Sequence, residues 1–172
     1  WSWSTTPDFA NTNPVHTGSK AIAVTYTAAD GGLSLHAPSP INPAGFSAVE
    51  FWVFGGTGDS HLNFATQATD DAGLSTLVSI TAPAGVWTRF SIPLSALGNP
   101  TVIARFNWQG ATNQVQPTFS IDDIRLVATT ATGGGFPDTT ADGSRTFTPG
   151  PSGVAIAPSG RVYVAVYQDD RV

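Results

Sequence analysis

The sequence predicts an all-β protein, a jelly-roll β-sandwich of roughly nine short strands. Apolar and polar residues alternate in run after run, as in 21–26, 48–54 and 61–67; that alternation fits strands with one buried face. Turn residues punctuate the runs, with 18 glycines and 13 prolines in the chain. No amphipathic stretch is long enough for a useful helix.

Taken in order, Trp1 and Trp3 alternate with serines as a first strand over 1–4, and either ring suits core or edge. Residues 11–19 are a turn-rich loop, and 21–26 are a strand ended by Asp30, Gly31 and Gly32. Leu33 to Leu35 is short, and Pro38, Pro40 and Pro43 predict loop beyond it. In 48–54, Val49, Phe51 and Val53 point to the core, and Glu50 and Trp52 point away. In 61–67, Leu62 and Phe64 share one face, while His61, Asn63 and Gln67 take the other. A turn at 70–73 leads to a strand at 76–80. A turn at 83–85 leads to 87–92, with Phe90 and Ile92 inward and Trp87 packing the sandwich end. Residues 94–97 make one helical turn before Gly98. In 102–109, Arg105, Asn107 and Gln109 lie opposite Phe106 and Trp108, and a polar loop fills 110–117.

The closing strand, 118–126, breaks a rule. Phe119 and Ile121 have one parity and Ile124 and Leu126 the other, so both faces need cover. Between them stand Asp122 and Asp123. A central strand tolerates Asp poorly, and a buried carboxylate needs a cation or several donors. One Asp is expected to grip a cation; the plainer alternative leaves both solvated or paired with arginines.

From residue 128 the composition changes, giving three regions: a sandwich at 1–128, a Gly/Thr/Pro-rich linker at 129–150, and a β-hairpin at 151–172 around Pro158, Ser159 and Gly160.

Composition excludes several classes. Hydrophobic residues are 41% of the 172, enough for a core, and charged residues only 11%. The net charge is −5, with one lysine and six arginines thinly spread, which argues against nucleic-acid binding. Without cysteine there is no disulfide framework or thiol chemistry. No apolar run approaches the ~20 residues of a membrane helix, and no signal segment opens the chain, so any targeting peptide is expected to be absent or removed.

His16-Thr-Gly-Ser19, the Phe51–Gly56 stretch, Trp87 with Phe90 to Leu94, and Phe119 to Leu126 occur in an order that resembles bacterial carbohydrate-binding modules of the galactose-binding-like β-sandwich type, over about residues 1–128. Pro151 to Ala165 resembles the start of an NHL or sugar-dehydrogenase-like β-propeller, one partial blade. A lone blade cannot bury its faces, so residues 151–172 are expected to pair with a sandwich edge, another chain or another domain. The resemblance implies a secreted, extracellular accessory module that binds a polysaccharide and tethers a partner domain. The alternatives are a structural or adhesive spacer without a glycan site, and a fragment of an enzyme whose catalytic propeller is missing.

The resemblance also implies a structural calcium near the first loop and last strand. The matching positions are Asp122, backbone oxygens near Thr17 and Lys20, and Asp8, with Asp123 as fallback. A glycan site is expected where Trp52 offers a flat platform and His61, Asn63, Gln67, Arg105, Asn107 and Gln109 line the same face. The plainer alternative has Trp52 covered by loops and the amides solvated. His16 and His36 are expected to be loop residues without metal partners. Catalysis is not expected: no nucleophile elbow or zinc-protease motif occurs, and Glu50 is the only glutamate.

Overall fold

The structure, a computed structural model, describes residues 2–129 and the backbone of Val154–Ile156 and Val162–Val164. The chain divides into two compact units, Trp1–Val127 and Ala128–Val172.

The first unit is the expected β-sandwich. Its strands are β1 (Thr5–Asp8), β2 (Ile22–Tyr26), β3 (Gly32–Ile41), β4 (Phe46–Phe54), β5 (Ser60–Gln67), β6 (Val78–Ala82), β7 (Trp87–Pro93), β8 (Ile103–Gly110) and β9 (Phe119–Ala128). One sheet has the order β1-β2-β9-β4-β7 and the other β3-β8-β5-β6. Their inner faces meet in one core. Val24, Val49, Phe51, Val53, Ile92, Phe119 and Ile121 face Leu33, Leu62, Phe64, Ile80, Ile103 and Trp108. Trp108 sits edge-on to Phe51, with ring centres 5.2 Å apart. The buried Tyr26 hydroxyl donates to the Trp108 carbonyl at 2.7 Å, and burial pushes its pKa well up. Leu94–Leu97 forms the single turn before Gly98, a 3₁₀ turn.

Three expectations are corrected. The first strand lies at Thr5–Asp8, beyond the tryptophan–serine alternation; Trp3 instead makes a lone bridge to Gly32. β3 runs on through Pro38 and Pro40 to Ile41. It lies at the end of its sheet and its register with β8 shifts between His36 and Ile41; an edge strand with an irregularity tolerates the missing N–H of proline. In β9 the two parities do not require cover on both faces. Asp123 has φ of 51°, the left-handed conformation of a bulge residue. The bulge resets the alternation, so Ile124 and Leu126 join Phe119 and Ile121 against the same core.

In the second unit Val154–Ile156 pairs antiparallel with Val162–Val164, as in a hairpin. The linker from residue 130, the proposed blade beyond these six residues and its pairing with another chain lie outside the described residues.

Candidate functional site

Residues paired across antiparallel strands point to the same side, so the register assembles the outer face of the four-stranded sheet row by row. His36, Arg105 and Gln67 form one row. Ser34, Asn107 and Ala65 form the next. Gly32, Gln109, Asn63 and Ser79 form a third, and His61 pairs with Thr81 beyond it. Six of the expected glycan-site residues, His61, Asn63, Gln67, Arg105, Asn107 and Gln109, are therefore brought together.

Hydrogen bonds hold these side chains in place. Asn107 Nδ2 donates to Gln67 Oε1 at 3.2 Å, and Ser79 Oγ donates to Asn63 Oδ1 at 2.7 Å. His61 Nδ1 lies 3.1 Å from Thr81 Oγ1, and Gln116 Oε1 accepts the His61 backbone N–H at 2.8 Å. The Arg105 side chain, 8% exposed, donates from Nε to Asp70 Oδ1 at 2.8 Å. That bond holds the Asp70 carboxyl below the usual carboxylate range, and His36 Nε2 lies 3.4 Å from the same oxygen. The cationic floor residue is thus neutralised by Asp70. Asn107 is fully buried and its Oδ1 has no donor, so the floor keeps one unmatched acceptor.

An aromatic residue joins this face from a place the sequence left open. Trp3 exchanges both backbone hydrogen bonds with Gly32, at 3.0 and 2.9 Å. Leu33 enters the core, so Gly32 faces outward. The Trp3 ring lies where a Cβ on Gly32 would be, and its Nε1 donates to the Asp30 carbonyl at 2.6 Å. The half-buried indole therefore lies at the Gly32 end of the row that contains Gln109 and Asn63. The residue opposite Trp3 being glycine was the signal in the sequence, but only pairing revealed it.

Trp52 is corrected. It belongs to β4 and the five-stranded sheet, and its side chain points away from the core opposite the polar rows. An imidazole stacks on it: His16 lies 3.8 Å away, ring centre to ring centre. Alternation placed Trp52 on an outer face, but could not say which sheet. Glu50 also points outward yet is only 1% exposed, because Arg89 and Arg125 both pair with it. Burial opposes its ionisation, but the two guanidiniums outweigh this and lower its pKa.

The two aspartates of β9 close on the first loop. Asp122 Oδ2 accepts the backbone N–H of His16 at 2.9 Å and that of Thr17 at 3.3 Å. Asp123 accepts the Thr17 hydroxyl at 2.6 Å and lies 2.7 Å from His16 Nδ1. The expected juxtaposition of Asp122 with Thr17 is present, and Asp122 and Lys20 share a hollow of about 160 Å³. The Asp8 carboxylate turns onto its own chain and accepts the Ala10 N–H at 2.8 Å. These donors do not fit a calcium ion. Calcium takes oxygen ligands, whereas N–H groups point at Asp122, with the Asp123 amide on Oδ1 at 2.8 Å. No group of three or more His, Asp or Glu side chains suited to a metal occurs among the described residues.

No protein-family model matches the chain, and no curated protein does. Solved structures match its fold. A family 11 carbohydrate-binding module of a cellulosomal cellulase of Clostridium thermocellum is 18% identical, with a TM-score of 0.54 over 73% of this chain and 81% of that one. That family's module from the same organism, in complex with a β-1,3-1,4-mixed-linked tetrasaccharide, is 17% identical, with a TM-score of 0.52 over 73% and 82%. An exo-β-agarase matches at 11% identity and a TM-score of 0.56, over 74% of this chain but 23% of its own. The chain has the two-sheet sandwich fold of these modules.

Proposed function

We propose that the chain is a non-catalytic carbohydrate-binding module of a secreted bacterial protein, tethering a partner domain to a polysaccharide through the outer face of the four-stranded sheet. The observation that carries this reading is the Trp3 indole lying over Gly32 at the end of the Gln109–Asn63 row. A sugar presents a C–H face to an aromatic ring and hydroxyls to amides, which both donate and accept. The Gln109 side-chain amide has no partner among the described residues, which leaves it to donate to and accept from sugar hydroxyls. The tetrasaccharide bound by the family 11 module supports the same class of ligand. A glycan array probed with the full chain tests this: oligosaccharides should be retained, and silence from folded protein would overturn the reading. The burial of Asn107 and Arg105 within the polar rows favours a second reading, a spacer domain without a glycan site, which that silence would support.

A Gly32→Val substitution gives a second check. Its side chain would occupy the volume of the indole, so binding should fall as far as on losing the ring, with far-ultraviolet circular dichroism unchanged. Retained binding would exclude Trp3 as the platform. Calcium, in turn, would have to displace the His16 and Thr17 amides from Asp122. The melting temperature should therefore be the same with and without EDTA; a fall on chelation would return the ion to Asp122.

A further inference from the structure

The outer face of the five-stranded sheet, across the core from Trp3, carries a second aromatic cluster. Phe54 and Trp87 have ring centres 5.5 Å apart, Trp87 meets His16 edge-on at 5.5 Å, and His16 stacks on Trp52 at 3.8 Å. All four are half-buried, where the solvated face of an antiparallel sheet is ordinarily polar. Beside them a hollow of about 420 Å³ is lined by His16, Thr17, Trp52, Asp123, Ile124 and Arg125.

The rim is chemically mixed and held in place. Arg125, 58% exposed, gives one nitrogen to the buried Glu50, which leaves other N–H groups of its five directed outward. The same carboxylate fixes Arg89, 55% exposed, so both guanidiniums are positioned before a ligand arrives. Asp123 accepts from Thr17 and His16, and each carboxylate oxygen keeps a further lone pair. The charges of Arg89 and Arg125 offset those of Glu50 and Asp123. A donor, an acceptor and an apolar wall with no net charge among these four groups suit vicinal hydroxyls on an uncharged ring.

We propose that this hollow is a second saccharide site, which takes an uncharged sugar unit against Trp52 and His16, with hydroxyls on Arg125 and Asp123. None of its residues belongs to the face at Trp3. Two sites on opposite outer faces would let one chain engage two polysaccharide strands, with the gain in retention that bivalency gives.

Proton–nitrogen spectra of the full chain test this through the indole N–H signals, assigned by single Trp→Phe variants. The probes are the mixed-linked tetrasaccharide, an agarose hydrolysate and an oligouronate. The Trp52 and Trp87 signals should shift saturably with an uncharged probe, equally in wild type and in Trp3→Ala, and Trp52→Phe should weaken that response several-fold. Signals of Trp52 and Trp87 that stay still throughout overturn the second site. If Trp3 alone responds, the face at Trp3 stands and this proposal falls; if Trp52 alone responds, the converse holds. An equal response to the oligouronate overturns the assignment to uncharged sugars.

Discussion

Replacing Trp3 with alanine is expected to lower polysaccharide affinity by roughly 30-fold, as for a central aromatic contact contributing about 2 kcal/mol. The ring lies on Gly32 outside the core cluster, so most of its apolar surface serves the outer face. What folding loses is one hydrogen bond, Nε1 to the Asp30 carbonyl, worth about 1 kcal/mol, and some ring contact with glycine. The variant should therefore stay folded, with a melting temperature lowered by a few degrees at most. Affinity electrophoresis beside thermal melting separates the two effects. Wild-type retention by folded Trp3→Ala would remove Trp3 from the site.

Asp123→Val is expected to cause the larger loss of stability, on the order of 3 kcal/mol, from two sources that add. A β-branched residue at the left-handed φ of 51° costs about 1–2 kcal/mol. The contacts with the Thr17 hydroxyl and the His16 ring are also lost; the carboxylate is a third exposed, so solvent screening puts their worth near the lower end, about 1–2 kcal/mol. The melting temperature should fall by on the order of 10 °C. Asp123→Asn tolerates the same φ and keeps a hydrogen-bonding group, so it should recover most of the loss. A Val variant as stable as wild type would mean that neither the bulge nor the clamp holds the loop.

The same residue gives a pH dependence. Burial opposes the Asp123 charge, but Thr17 and His16 outweigh it and hold the pKa below the usual aspartate value. A depressed pKa contributes stability that is present above the unfolded value, about 3.9. That contribution is lost as pH falls through the folded value. Wild type should thus lose more stability than Asp123→Asn on acidification below about pH 4. Parallel acid melting curves would contradict the clamp.

Much of the sandwich was legible in the sequence because a strand with one buried face alternates, and alternation is local. Val49, Phe51 and Val53, or Leu62 and Phe64, declare their inward side without reference to any partner, and all are buried. The polar rows were legible for the same reason: Asn63 and Gln67, or Arg105, Asn107 and Gln109, keep one parity along one strand. Alternation distinguishes in from out but not one sheet from the other. Trp52 was therefore grouped with residues across the core, and Trp3, set by its pairing with Gly32, could not be placed. Parity also fails where the backbone leaves the extended region, so Asp123 hid that Ile124 and Leu126 face the same core as Ile121. The composition and spacing of the chain determined that it forms a two-sheet β protein and which side of most strands is buried. Strand order, register and one left-handed residue, all set by contacts between distant segments, decided which surface holds Trp3 with the amides and which holds Trp52 with His16.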